Sequence, residues 1–270
     1  MANLNPFLPA ADAFVVRMRG RVLAFTVLGT SGVAWFALWR WGSSPTARYS
    51  HTHIHTHIHF AAQTQAGLLL AFVAGWTLML VAMMLPTSLP LLALFSRLTR
   101  ERRDHWTLVA LVVAGYVAIW LLFGVAAYLA SDPLGRILGI EHWMHMQARW
   151  LAAGTVILAG IYQFTPLKYR CLEKCRSPFS FIAEHWTGRD EGKQALWLGA
   201  HHGLFCVGCC WSLMLLMFTI GAGSLGWMLV LGTLMAVEKN SPWGKPFAGA
   251  LGFGLLLMGM GISLGFWPTG

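Results

Sequence analysis

Long, nearly uninterrupted apolar segments restrict the fold of this chain more than any other feature of its sequence. A helix needs ~20 consecutive apolar residues to cross the hydrocarbon core of a bilayer, and several segments approach or exceed that length. Hydrophobic residues make up 57% of the chain and charged residues only 11%, a composition far from that of a soluble domain. Since a bilayer offers backbone polar groups no other partner, such segments form helices. The sequence therefore predicts an all-α fold, a polytopic bundle of transmembrane helices.

The apolar pattern predicts about seven membrane-spanning helices. Their approximate ranges are 21–41, 67–95, 106–130, 150–164, 195–221, 225–237 and 247–267. The sixth gives only ~20 Å of helix against a hydrocarbon core of ~30 Å, so we expect it to cross only where the membrane thins or its ends sink. We divide the chain into an N-terminal region, 1–66, with one span and a histidine-rich extracytoplasmic loop, and a core membrane domain, 67–270.

The distribution of lysine and arginine predicts the orientation of this bundle. Cytoplasmic loops of membrane proteins are enriched in these residues. The basic segments are the N-terminal leader, 97–103, 168–193 and 239–245, whereas the other connections carry few such charges. We therefore expect the N-terminus in the cytoplasm and the C-terminus outside. The net charge of +9 then needs no nucleic-acid partner, and the lipid bilayer is the expected one.

A cluster of cysteine and histidine residues begins the fifth predicted span. Four of them share one face of a helix, because they are spaced i, i+4, i+7 and i+8: His202, Cys206, Cys209 and Cys210. Imidazole nitrogen and thiolate sulfur are ligands that Cu(I) and Zn(II) favour. Buried cysteines can also be simple small hydrophobic residues. The adjacent pair of histidines, His201 and His202, favours the metal site.

A second pair of cysteines follows the fourth predicted span. Cys171 and Cys175 are one helical turn apart, and the lysines and arginines around them favour thiolate over thiol. The connection to the fifth span is long enough to fold back. We therefore expect the two groups of cysteines to lie side by side and to form one site.

Two further residues are candidate ligands. Met83 lies in a segment interrupted by Pro86 and Pro90. Its thioether is a soft ligand for Cu(I), although methionine is also a common core residue. The prolines free backbone carbonyls, which places this segment inside the bundle or beside a polar site. Glu238 is expected at or below the membrane interface, where a carboxylate is costly and is a functional candidate; the alternative is a salt bridge to Lys239 or Lys245.

Two histidine-containing segments are predicted on the outer side. Five histidines alternate with other residues from His51 to His59 and would point one way in an extended segment. Such an array can collect Zn(II), Cu(II) or Ni(II), but a low-complexity loop with adventitious affinity explains it as well. The segment Glu141–Met146 is either a second metal-accepting patch or an interfacial amphipathic helix.

Three blocks of sequence together form a pattern that is typical of one family. They are Met83–Pro86, Thr165–Cys175 and His202–Trp211, the last followed by Glu238 and Lys239. Together they resemble the bacterial predicted metal-binding integral membrane proteins, a domain of unknown function that is sometimes labelled copper chaperone-like. The resemblance covers about residues 67–265. It implies a metal-handling role in the bacterial inner (cytoplasmic) membrane, with no established reaction, and does not include the histidine tract.

These observations predict a membrane metal-handling protein. We expect it to bind copper, or else zinc or another transition metal, and to carry the metal across the bilayer or to a membrane or periplasmic partner protein. Two alternatives stay open: a transmembrane thiol–disulfide redox protein and a structural subunit of a membrane complex. The absence of predicted periplasmic cysteines favours metal over redox chemistry. We do not expect an enzyme, since no catalytic triad, P-loop or dinucleotide fingerprint is present.

Overall fold

The computed structural model describes residues 10–42, 65–137, 140–220 and 225–266. The predicted histidine tract, His51–His59, lies outside these residues, and so do the side chains of the predicted Glu141–Met146 patch. In chain order the α-helices are α1 (Ala10–Gly42), α2 (Gln65–Met83), α3 (Leu89–Leu98), α4 (His105–Ile137), α5 (Ile140–Tyr162), α6 (Pro166–Arg176), α7 (Pro178–His185), α8 (Glu191–Ile220), α9 (Leu225–Asn240) and α10 (Gly244–Ser263). A short 3₁₀-helix, Pro86–Ser88, joins α2 to α3. The described chain contains no strand, which confirms the all-α prediction.

Four segments of the described chain are long and apolar enough to cross a membrane: Arg21–Arg40, His105–Ala130, Glu191–Met217 and Gly244–Ser263. The pair Leu69–Met83 and Pro86–Leu98, bent by 43°, makes a fifth if it is one span. The fourth and sixth of the seven predicted spans fall short of this length, because the apolar part of α5 is Ala152–Tyr162 and α9 has only 16 residues.

The bend after α2 follows from Pro86. Proline has no N–H, so the carbonyl of Ala82, four residues earlier, loses its helical donor. Two side chains of α1 replace that donor: Ser31 Oγ donates to the Ala82 carbonyl at 2.7 Å, and Trp35 Nε1 donates to it at 3.1 Å. A freed carbonyl is thus satisfied by a neighbouring helix. This confirms that the proline segment is inside the bundle.

Helices α4 and α8 form the centre of the bundle, and glycine permits their close approach. A Cβ on Gly199 would overlap the backbone of Val112, and one on Gly203 would lie 3.0 Å from the carbonyl oxygen of Tyr116. Helix α6 packs against α8 as well, where the thiol of Cys171 lies over Gly208. Small residues on α8 therefore let α4 and α6 bring Tyr116 and the second pair of cysteines close to its own cysteines.

Candidate metal centre

The last turn of α6 and the middle of α8 bring three cysteine sulfurs together. Helix α6 begins at Pro166, a favoured residue for a first helical position, and the Thr165 hydroxyl caps it by accepting from the Lys168 N–H. Its last turn places Cys175 Sγ 3.9 Å from Cys209 Sγ. Cys209 Sγ in turn lies 3.4 Å from Cys210 Sγ. The predicted juxtaposition of the two groups of cysteines is confirmed at Cys175.

Cys206 has a different environment, because its sulfur contacts two polar groups. Lys239 Nζ, from the end of α9, donates to Cys206 Sγ at 2.8 Å, and Tyr116 Oη, from α4, lies 3.0 Å from the same sulfur. All three residues are buried. The side chain of Cys206 also interacts with those of Cys209 and Cys210. We call Cys175, Cys206, Cys209 and Cys210 the sulfur cluster.

The ammonium of Lys239 has two further contacts. Its Nζ lies 3.7 Å from Met84 Sδ and 3.3 Å from Thr87 Oγ1. Met84 is fully buried, and Thr87 lies in the 3₁₀ turn that Pro86 begins. One cation is therefore surrounded by a thiol, a thioether and a hydroxyl group, contributed by α8, the end of α2 and the turn after it.

Glu238 and Lys239 are adjacent in sequence but have separate partners. Lys168 Nζ contacts both carboxylate oxygens of Glu238, at 3.0 and 2.8 Å, and also donates to Gln163 Oε1. The expected alternative for Glu238, a salt bridge to Lys239 or Lys245, is therefore wrong. Lys245 instead lies 3.4 Å from a carboxylate oxygen of Glu173, in an exposed pair.

The other sequence candidates occupy positions around the sulfur cluster. The buried His202 ring stacks on Tyr116 with centroids 5.6 Å apart and meets Phe181 edge-on at 5.7 Å. Its Nδ1 is buried and has no hydrogen-bond partner among the described residues. Cys171 is wedged against Gly208. Met83, the predicted thioether ligand, packs against Gly232 of α9, whereas the methionine whose sulfur lies beside Lys239 is Met84.

Four buried residues of this region were not selected from the sequence: Tyr116, Lys168, Lys239 and Met84. A lysine at or within an apolar segment is costly unless it is paired. That signal applies to Lys168 and Lys239, which are buried beside apolar helices. No comparable sequence signal distinguishes Tyr116 from other core aromatic residues.

His201, the neighbour of His202, has a different environment. Its ring lies 4.9 Å from that of His185 and 5.7 Å from that of Trp197. These residues line an open cavity of about 260 Å³. The two adjacent histidines therefore belong to different environments, and only His202 faces the interior that holds the sulfur cluster.

The donor set fits a soft cation, but it is not arranged as a finished coordination shell. No group of three or more His, Cys, Asp or Glu side chains among the described residues has the geometry to hold a metal ion, and all five cysteines are free thiols. Two sulfurs bound at ~2.3 Å to one tetrahedral ion lie ~3.8 Å apart. The Cys175–Cys209 separation matches this value, whereas Cys209 and Cys210 are too close, and the sulfur of Cys206 is already contacted by Lys239 and Tyr116. Thiols are nevertheless the ligands that Cu(I) prefers.

The architecture defines a class: an apolar helical protein with buried thiols gathered from two helices. A family model described as PpoB2, copper chaperone, matches residues 73–262. The match covers well over half of the chain, and the protein belongs to this copper chaperone family. The whole sulfur cluster and both buried lysines lie within the matched residues. No curated protein and no solved structure matches the chain.

Proposed function

We propose that the protein is an integral membrane copper chaperone that carries Cu(I) on its sulfur cluster. Family membership supports copper as the cargo, and the donor atoms support its reduced form, because soft thiolates select Cu(I) over harder ions. Copper is a transported ligand in this proposal and not a resident cofactor. Zinc or another transition metal is the alternative cargo.

One observation carries the proposal: the thiols of Cys175 and Cys209 meet although 34 positions separate them in sequence. Two sulfurs 3.9 Å apart, each ~2.3 Å from the same ion, subtend an angle of ~115° at that ion. That angle suits three-coordinate or four-coordinate binding. Metal binding requires thiolates and releases their protons. Small rotations of Cys206 or Cys210 would then supply a further sulfur.

The remaining sequence candidates take secondary roles in this proposal. His202 is the nitrogen donor, because its buried Nδ1 has no hydrogen-bond partner among the described residues. Glu238 is a structural residue, since Lys168 already neutralises its carboxylate. Cys171 fills the space over Gly208. Met84 replaces Met83 as the thioether near the site.

The location in the membrane is part of the same proposal. The segments long enough to span it, together with α5 and α9, give a seven-span protein of the bacterial cytoplasmic membrane. The N-terminus is cytoplasmic, and the basic loops support this orientation. The partner is a membrane or periplasmic protein that receives copper, and the chaperone itself catalyses no reaction.

The test is the copper content of the detergent-purified full-length protein. We expect Cys209→Ser and Cys175→Ser to lose most of the bound Cu(I), because each removes one sulfur of the closest pair between helices. Cys171→Ser is the matched control, since it changes a thiol on the same helix as Cys175 and is expected to retain copper. Equal copper contents in all three variants and the wild type would refute the sulfur cluster as the copper site.

A thiol–disulfide redox function is the second candidate, and one contact favours it. A thiol beside a lysine ammonium, as at Cys206, is the environment that activates cysteine as a nucleophile. The two functions differ in a measurable property. A redox protein would cycle between dithiol and disulfide without bound metal, whereas a copper chaperone would bind Cu(I) with its thiols reduced.

A further inference from the structure

The cation-binding groups around Lys239 Nζ form a second soft donor set beside the sulfur cluster. Cys206 Sγ, Met84 Sδ and Thr87 Oγ1 lie 2.8, 3.7 and 3.3 Å from this nitrogen. Thiolate and thioether sulfur are together the donors that select Cu(I) among biological metals. In the structure, a lysine ammonium occupies the space between them.

We propose that Lys239 is an internal competitor for copper, whose ammonium holds the place of Cu(I) between Cys206 and Met84. This inference rests on the proposed copper-carrying function and adds a subsite and a release mechanism to it. An ion bonded to both sulfurs would stand ~2.3 Å from Cys206 Sγ, in the space that Lys239 Nζ now fills. Copper and the ammonium therefore cannot occupy this subsite together.

The exchange replaces one monovalent cation beside the Cys206 sulfur by another and involves no electron transfer. When Cu(I) enters, a copper–sulfur bond forms at Cys206, and the hydrogen bond from Lys239 Nζ to that sulfur breaks. Lys239 keeps its proton, and its displaced ammonium turns away from both sulfurs while retaining its contact with Thr87 Oγ1. The copper-bound site therefore holds one more positive charge than the copper-free site, and this repulsion opposes copper binding. When copper leaves, the ammonium returns and compensates the thiolate. The buried sulfur thus always has a cationic or polar partner, which avoids the cost of an isolated buried charge.

Such a competitor would limit the affinity of a chaperone and favour transfer of its cargo. The position of Lys239 suits this role better than that of Lys168, because Lys168 is already held by Glu238 and Gln163. Lys239 has no carboxylate partner in the described structure; its contacts are the two sulfurs and Thr87. Its ammonium is therefore the cation that copper can displace without breaking a salt bridge.

The test compares Cu(I) affinities of detergent-purified full-length variants by competition with a Cu(I) chelator of known affinity. Lys239→Leu and Lys239→Gln remove the competing charge without adding a copper ligand, and we expect each to bind Cu(I) about tenfold more tightly than the wild type, a change worth ~1.4 kcal/mol. Lys239→Arg keeps the charge and is expected to bind no more tightly than the wild type. Lys245→Leu, which removes an exposed lysine, is the matched control and is expected to be unchanged.

A second comparison tests the thioether. Addition of Met84→Leu to Lys239→Gln should abolish the gain, and copper X-ray absorption should show fewer sulfur neighbours in the double variant than in Lys239→Gln. Weaker or unchanged Cu(I) binding in both neutral variants would overturn the proposal, because Lys239 would then be a countercharge for bound copper or a structural residue. If the gain in Cu(I) affinity persisted without the Met84 thioether, a subsite between Cys206 and Met84 would be excluded. Loss of copper in Cys209→Ser together with no gain at Lys239 would leave the chaperone function standing and refute only this inference.

Discussion

Lys168 Nζ lies 3.0 and 2.8 Å from the two carboxylate oxygens of Glu238, and both side chains are almost fully buried. The pair joins α6, which carries Cys175, to α9, which carries Lys239. Arg176 strengthens the same junction by donating to the carbonyl of Glu238 at 3.1 Å. The position of the sulfur cluster relative to Lys239 therefore depends on an ion pair outside the proposed copper site.

Removal of either partner of this ion pair should destabilise the fold strongly. Glu238→Gln or Lys168→Met leaves one buried charge without its counterion, which costs ~3–5 kcal/mol. The double variant should recover much of that loss, since it leaves no buried charge. Thermal unfolding of the four proteins in detergent measures the cycle. If the loss of stability in the double variant equalled the sum of the two single losses, the two charges would not depend on each other.

The adjacent residues Glu238 and Lys239 show what the sequence could not specify. The alternative that Glu238 pairs with Lys239 is wrong because residues i and i+1 on a helix point in different directions. Lys245 pairs with Glu173 instead. Glu238 reaches α6, whereas Lys239 reaches Cys206 on α8. Helix geometry alone could have excluded a salt bridge between Glu238 and Lys239. The observed partners of Glu238 and Lys239 could not be predicted from the sequence, because they depend on how α6, α8 and α9 are rotated about their axes.

The cysteines show the opposite case. Their helical spacing and the length of the connection between α6 and α8 were sufficient to predict that the two groups meet, and Cys175 and Cys209 do so. The prediction did not separate Cys175 from Cys171, which lies over Gly208. The sequence analysis selected Met83 and not Met84, which follows the end of α2 and contacts Lys239 in the structure. The helices and the proximity of the two groups of cysteines can be predicted from the sequence pattern. The rotation of each helix about its axis, which decides which side chains meet, can be seen only in the packed structure.

The stability of the bend at Pro86 should depend on α1, because side chains of α1 donate hydrogen bonds to the carbonyl of Ala82. Ser31→Ala removes one of its two side-chain donors in a buried position, and we expect a loss of ~1–3 kcal/mol. Pro86→Ala supplies a backbone N–H that can bond to the same carbonyl. The cost of Ser31→Ala should therefore be smaller in a Pro86→Ala background, as measured by thermal unfolding. An equal cost in both backgrounds would contradict this role for the proline.

The histidine tract is expected to be separate from the tight copper site. Replacement of its five histidines, from His51 to His59, by serine should remove only weak binding that imidazole can compete away. Tight binding depends on buried sulfurs instead. Cu(I) and Cu(II) titration of the full-length variant beside Cys209→Ser distinguishes the two kinds of binding. Loss of tight Cu(I) binding in the serine variant would show that the tight copper site includes the histidine tract.

The seven-span proposal predicts which loops face the cytoplasm. Reporter fusions within 97–103 and 175–190 should give cytoplasmic signals, and fusions after Ser44 or at Gly270 should give periplasmic ones. The decisive element is α9, because its 16 residues reach only ~24 Å as a helix. If the C-terminal fusion were cytoplasmic, α9 would not cross, and the positions of Glu238 and of the final span would have to be reassigned.

Mild oxidation should join α6 to α8 through Cys175 and Cys209. A disulfide requires the two sulfurs to approach from 3.9 Å to ~2.05 Å, a movement that side-chain rotation can supply when the backbones are already in contact. We expect this crosslink in metal-free protein and its suppression by bound Cu(I), which occupies the same thiolates. Peptide mass spectrometry after oxidation identifies the joined cysteines. Cys171→Ser should still form the crosslink, whereas Cys175→Ser should not. A crosslink that forms equally well in the presence of stoichiometric Cu(I) would place the copper elsewhere, and the juxtaposed thiols would then favour the redox function.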